Sequence, residues 1–387
     1  MEGFIFDLSI ILVGAAILSF LAVVFKQPII IAYIICGVIV GPLGLGWIKH
    51  PEFIGDISHL GITLLLFLAG LCLHPQKLIK LFKKTTLATI GSCLVSFVLA
   101  FGFSLIFEFG LIDSLCIGLA LMFSSTILTV KLLPTTKLHQ QRMGAICISV
   151  LIIQDLIAIA VLAFIRSLNL SHSVTPNFPL LIVKLILFVG ALVLFEQFVL
   201  RKVMKKVDHF HEALFILGLA WCFGIATISE KMGLFYETGA FVAGVVLARH
   251  KISLFISESL KPLRDFFLVL FFFTLGAKLD FLAMRMVFFP ALFMATLFII
   301  VKPWLFKKLF LLSGEKEYFS EEVGIRLGQL SEFSLLIALL AFELGHISNN
   351  ASQLIQLVTI ITFVISSYIV VFKYPTPIGT TEKMIRD

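Results

Sequence analysis

The chain has 387 residues, of which 60% are hydrophobic and 14% charged, with a mean hydropathy of +1.10 and a formal net charge of +7. That balance describes a chain whose solvent is mostly lipid and excludes a soluble globular domain. The excess of positive charge is not a nucleic-acid footprint, because no basic run carries interleaved aromatic residues.

A bilayer core of about 30 Å needs about 20 apolar residues per helix, and runs of that size recur from Phe4 to Phe372. The first carries Glu2 and Asp7 where a cleavable leader would be basic, so it reads as a span near 4–25. Breaks at Pro, Gly and charge clusters place six more near 28–46, 57–74, 86–107, 112–133, 142–166 and 178–200. The remainder lie near 210–229, 233–249, 262–279, 281–303, 322–344 and 352–372. The expected fold class is an all-α polytopic membrane protein of about 13 transmembrane helices, a domain over 1–375 followed by a short tail over 376–387.

An odd number of spans puts the termini on opposite sides, and basic residues decide which side is which. Lys26, Lys77 to Lys84, Lys131 to Arg142, Arg201 to Lys206, Arg249 to Arg264 and Lys307 to Arg326 crowd one set of alternate connections. The other set holds only Lys49, Arg166, Lys231, Lys278 and Arg285. The asymmetry predicts an outside amino terminus and a cytoplasmic carboxyl terminus in a cell inner membrane.

Two halves of the chain resemble each other. C-G-V-I-V-G at Cys36 to Gly41 matches A-G-V-V-L-A at Ala243 to Ala248, Gly70 matches Gly276, and Ser125 matches Ser331, all in a register of about 206 residues. Equivalent elements lie an odd number of spans apart, which makes the repeats inverted, as alternating access requires. Ser124, Ser125 and Thr126 fall in one span, and Gly328, Gln329, Ser331, Glu332 and Ser334 in its counterpart. These residues compete with helix backbone for hydrogen bonds, so the pair is expected to be two broken helices that cross at membrane depth and line a cavity.

An ionisable group at the bilayer centre costs about 3 kcal/mol or more by insertion scales and is rarely kept without use. Asp155, Lys302 and Glu332 lie deep in their spans; Lys184 and Glu196 lie nearer a span end, where long side chains snorkel. Asp155 has more than ten residues of span on either side, about 15 Å of helix. Lipid disfavours the charged form of a carboxylate, which lets a proton and a cation compete for it. Glu332 is expected to answer exposed amides at the crossing and Lys302 exposed carbonyls, while Asp155 binds the monovalent cation with oxygens from Ser124, Ser125 and Thr126. The six cysteines are scattered singly with no C-x-x-C spacing, and the nine histidines form no H-E-x-x-H pair, so no resident cofactor or structural metal is expected.

With these residues in place, the chain resembles the second cation:proton antiporter family, most closely its Kef-type potassium/proton branch. The resemblance rests on G-V-I-V-G-P-L-G-L-G at Gly37 to Gly46, F-L-A-G-L at Phe67 to Leu71, F-S-S-T at Phe123 to Thr126 and Q-D at Gln154 and Asp155. It continues in T-G-A-F-V-A-G at Thr238 to Gly244, F-F-F-T-L-G at Phe271 to Gly276, Lys302 and G-Q-L-S-E-F-S at Gly328 to Ser334. The resemblance implies a sodium/proton-antiporter-like fold and a homodimer in membrane lipid. In it a core (about 57–166 and 262–372) moves in an elevator-like way against a dimerisation part (about 4–46 and 178–249). It also implies that Asp155 is the ion-binding carboxylate and that Lys302, Gln329, Ser331 and Glu332 give electrostatic support. Gln154 stands where electrogenic relatives have a second Asp, which implies electroneutral exchange of K+, or alternatively Na+, for H+. It also leaves either Asp155 or Glu332 as the partner of Lys302.

Kef-type proteins often continue into a nucleotide-binding regulatory domain; after Tyr374 only P-T-P-I-G-T-T-E-K-M-I-R-D follows, so that domain is expected to be separate or missing. Two rival transport classes fit the sequence less well. A potassium efflux channel would carry a filter run such as T-V-G-Y-G, and a sodium-coupled organic-anion symporter would offer Arg or other polar groups to the anion; the sequence shows neither. An intramembrane protease lacks its Ser/His pair or second aspartate.

Overall fold

The computed structural model describes residues 2–25, 29–42, 44–48, 51–71, 75–133, 142–167, 178–207, 210–232, 236–248, 250, 252–277 and 279–376. All regular structure among them is helical, as expected where a segment must satisfy its own backbone in lipid. The helices are α1 (Glu2–Val24), α2 (Ile29–Val40), α3 (Pro51–Leu71), α4 (Pro75–Ile106), α5 (Leu111–Leu121), α6 (Thr126–Leu132) and α7 (Arg142–Ser167). They continue with α8 (Phe178–Phe195), a π-helical turn (Glu196–Leu200), α9 (Arg201–Val207), α10 (His211–Lys231), α11 (Tyr236–Leu247) and α12 (Ser253–Ala277). The last are α13 (Phe281–Leu312), α14 (Glu317–Arg326), α15 (Glu332–Glu343) and α16 (Asn349–Lys373).

Seven helical stretches among the described residues are long and apolar enough to cross a membrane, and α2, α5 and the Thr238–Leu247 part of α11 are shorter apolar helices. The chain is a multi-pass membrane protein. Each expected span coincides with a helix or, for 112–133 and 322–344, with a pair of helices separated by non-helical backbone. Four boundaries differ most from expectation. Helix α4 begins at Pro75 and α12 at Ser253, α13 runs on to Leu312, and α8 continues through the π-helical turn and α9 to Val207. The cause is common to all four: Lys and Arg end a hydropathic run but are good helix formers, so the helix outlasts the apolar stretch. Of the basic residues that set the expected orientation, Lys26, Lys49, Lys137, Arg249, Lys251 and Lys278 lie outside the described residues, as does the tail beyond Thr376.

Packing divides the chain into two compact units. The first comprises Met1–Ala15, Tyr33–Leu78 and Asn169–Lys278. Glycine brings its helices together backbone to backbone: a Cβ on Gly37 would strike the Phe273 carbonyl and the Ala277 amide, and one on Gly276 the Ile34 carbonyl. Likewise a Cβ on Gly244 would strike the Phe67 carbonyl and the Leu71 amide, and one on Gly70 the Phe241 carbonyl. The α2–α12 and α3–α11 crossings therefore use equivalent residues in the register of about 206. These close approaches hold α3 and α12 in the first unit, whereas the sequence groups 57–74 and 262–279 with the core.

The second unit comprises Ala16–Ala32, Ile79–Leu168 and Leu279–Asp387. Its apolar core joins Ala88 of α4, Met143, Ile146, Cys147, Val150 and Leu151 of α7, Phe306 and Phe310 of α13, and Val323 of α14. At one edge of this unit Asp280 caps α13, its Oδ1 accepting from the amides of Leu282 (2.9 Å) and Ala283 (3.3 Å) while Oδ2 accepts from Asn349 Nδ2 (2.8 Å). The Ala283 amide and then the Asn349 amide hold its carboxyl below the usual Asp range. A depressed Asp contributes stability above its unfolded value, about 3.9, and loses it as pH falls through the lower folded value. The melting temperature of Asp280→Asn in detergent should thus lie below that of the parent at pH 7, with the gap closing below about pH 4. A gap that persists unchanged to pH 2 would remove the charge-based account.

Candidate ion-binding site

All nine residues singled out by sequence for ion binding or its support lie in the second unit. The span near 112–133 stops at Leu121, leaves Phe123 and Ser124 outside any helix, and restarts at Thr126 after Ser125 turns extended (φ −72°, ψ 124°). Ser125 Oγ caps the new helix by accepting from Leu128 N at 3.1 Å. The span near 322–344 behaves alike: α14 stops at Arg326, residues 327–331 are non-helical, and Ser331 (φ −116°, ψ 152°) caps α15 by accepting from Phe333 N at 3.1 Å. The two serines predicted to be equivalent are thus both N-caps, a position that favours Ser because its oxygen satisfies an orphan amide.

Side chains tie the two interruptions together. Ser124 Oγ donates to Leu327 O (2.8 Å), Thr129 Oγ1 donates to Arg326 O (3.1 Å), Gln329 Nε2 donates to Thr129 Oγ1 (2.7 Å), and Ser334 Oγ donates to Ala120 O (2.6 Å). Lys302, 1% exposed on α13, donates from Nζ to Phe123 O (2.5 Å) and to Gln329 O (3.4 Å). Its charge therefore answers one freed carbonyl from each interruption. Among the described residues its partners are these carbonyls, and neither of the two carboxylates left open by sequence takes that place. Close packing of Gly324 and Gly328 against Pro303 keeps α13 near enough for this reach.

Asp155, 6% exposed, faces the first residue of α6: Thr126 Oγ1 lies 3.3 Å from Oδ1 and 3.5 Å from Oδ2. Glu332, in the first turn of α15, is close enough for the two carboxylates to interact electrostatically. Of the three hydroxyls expected around an ion, only that of Thr126 reaches Asp155; those of Ser124 and Ser125 serve the crossing. Gln154 is likewise occupied, its Oε1 accepting from Ser124 N at 2.9 Å and its Nε2 lying 3.7 Å from Cys93 Sγ. It holds the unwound backbone in place, and of the Gln154–Asp155 pair only Asp155 can carry a charge. An oxygen-lined carboxylate beside broken helix ends can hold a proton or a partly dehydrated monovalent cation in turn.

Sequence reasoning missed several members of this assembly. Thr129 and Cys93 carried no separate signal in apolar helices. Arg326 counts by sequence among the basic residues of a connection, yet it is 2% exposed and bonds Glu322 Oε1 through Nε (3.0 Å) and Nη2 (2.9 Å), Leu132 O (2.9 Å) and Pro375 O (3.0 Å). Its i, i+4 spacing from Glu322 was the available clue. Asp7 is also fully buried.

Comparison with known proteins identifies the family. The profile of the family described as "Sodium/hydrogen exchanger, transmembrane" matches residues 8–372. The iron transporter MagA of Paramagnetospirillum magneticum is 26% identical over 362 residues, covering 89% of this chain and 79% of its own. The probable Na(+)/H(+) antiporter GerT of Bacillus cereus is 29% identical over 283 residues, covering 72% and 74%. The glutathione-regulated potassium-efflux system protein KefC of Cronobacter sakazakii is 30% identical over 337 residues, covering 84% of this chain but 53% of its own, so the chain spans about half of that relative. The solved structure of the sodium proton antiporter MjNhaP1 from Methanocaldococcus jannaschii shares the fold, with a TM-score of 0.73 over 93% of this chain and 94% of that one at 16% identity. A buried carboxylate at crossed broken helices, inside a family match that runs nearly end to end, makes the chain a member of the sodium/hydrogen exchanger family of transmembrane transporters.

Proposed function

We propose that the protein exchanges a monovalent cation for a proton, and that K+ is the favoured cation with Na+ the alternative. The observation that carries the reading is Asp155 set against Thr126 at the crossing, where one carboxylate serves both ions. The Kef-type sequence motifs and the KefC relative favour potassium, while the GerT relative keeps sodium in view. With Gln154 committed to the Ser124 amide, one proton leaves for each cation and transport is electroneutral. The protein works as a homodimer in a cell inner membrane, amino terminus outside and carboxyl terminus cytoplasmic. The core that carries the site, about 57–166 and 262–372, shifts in an elevator-like motion.

Proteoliposomes with an internal pH dye and defined ions test the reading. Addition of external K+ or Na+ to acid-loaded vesicles should alkalinise the lumen, and the initial rate should be unchanged by a membrane potential imposed with an ionophore for the untransported cation. Absence of alkalinisation with either cation would overturn the exchange, and a strong dependence on potential would overturn electroneutrality.

A further inference from the structure

Glu196 stands apart from everything described so far. Its sequence position near the end of the span at 178–200 predicts a side chain that snorkels to the interface. The structure differs, because the helix does not end there: it passes through the π-helical turn and continues as α9 to Val207. Glu196 therefore sits inside the Val183–Met204 stretch that is apolar enough to cross a membrane, and it is 5% exposed. It occupies the middle of a buried stripe formed by Phe188, Leu192, Leu200 and Met204. Among the described residues nothing donates to its carboxylate, and Lys184, on the same helix, is spent on Met232 O at 3.1 Å.

The setting makes this group costly. A carboxylate in a buried apolar stripe of a span is rarely kept without use, and a single π-helical turn inside a longer helix recurs at functional sites. The titratable residues of the neighbouring elements are Arg201, Lys202, Lys205 and Lys206 on α9, His211, Glu212, Glu230 and Lys231 near the ends of α10, and Glu237 near the start of α11. Among the described residues none supplies its counter-charge. One carboxylate balances one positive charge and offers two oxygens, too few for the six to eight that a calcium ion takes.

We infer that Glu196 is a second binding site for a monovalent cation, proton included, in the first unit and independent of Asp155. The full-length protein in lipid nanodiscs tests it by thermal melting. The first site is silenced by Asp155→Asn, and NaCl or KCl replaces N-methyl-D-glucamine chloride at constant ionic strength and pH, with a separate pH series in the bulky cation. Asp155→Asn should still gain about 2 °C from a small cation or from acid, by preferential binding to the folded state. The gain should vanish in Asp155→Asn/Glu196→Gln and in Asp155→Asn/Glu196→Leu, the second of which suits the apolar stripe. The salt arm and the pH arm tell an alkali cation from a proton. No response in Asp155→Asn, or a response that survives both double variants, would overturn the inference and leave the role of Asp155 untouched.

Discussion

Asp155→Asn should reduce cation-driven proton movement to that of protein-free vesicles. The amide keeps the shape of the carboxyl group and can still accept from Thr126 Oγ1, which lies 3.3 Å from Oδ1 in the parent, so the crossing has no reason to rearrange. What disappears is the charge. A neutral amide gives a dehydrated cation no counter-ion and takes up no proton, and both halves of the exchange fail together. Retained monodispersity in size-exclusion chromatography would show that the loss lies in the site. Asp155→Glu, which restores the charge on a longer arm, should recover measurable exchange with a raised KM. If the Asn variant still dissipates a pH gradient on addition of K+ or Na+, the ion lies elsewhere.

The largest loss of stability is expected at Arg326→Met. Arg326 and Glu322 form an ion pair with each side chain 1% exposed, and removal of one partner strands the other charge in an apolar setting at a cost of about 3–5 kcal/mol. The guanidinium also serves Leu132 O, Pro375 O and the Tyr374 ring, 5.4 Å from its centroid, so the loss reaches the end of α6 and the chain leaving α16. Glu322→Gln in the same background should recover part of it, because a neutral amide is far cheaper to leave buried. Melting temperatures of the two single variants and the double variant give the cycle. A double variant no more stable than Arg326→Met would mean that the lost carbonyl contacts dominate.

Much of this architecture was legible in the residues. Apolar runs located the helices because lipid permits little else, and Ser125 and Ser331 marked both interruptions because a serine oxygen competes with helix backbone and suits an N-cap. Asp155 announced itself through the cost of a charge in lipid. The partner of Lys302 was not legible, since its acceptors are the carbonyls of Phe123 and Gln329, and a carbonyl freed by a broken helix has no residue type of its own. Ser124 and Gln154 stand at the crossing, but their orientation toward Leu327 O and the Ser124 amide depends on backbone positions that no spacing encodes. Glu196 differs for another reason: hydropathy gives the length of a span and does not show which face of the helix is packed, and this side chain falls on the buried face with Leu192 and Leu200.

The glycine crossings of the first unit have a meaning beyond packing. Where α2 meets α12 and α3 meets α11, backbone touches backbone and a single added Cβ would have no room. A seam of that kind leaves no file of water between the helices, and ions need water or polar oxygens to pass. In a carrier that cycles protons against cations, such seams act as a gasket: they oblige each ion to cross on a binding group, and so keep the gradients on the two sides of the membrane coupled.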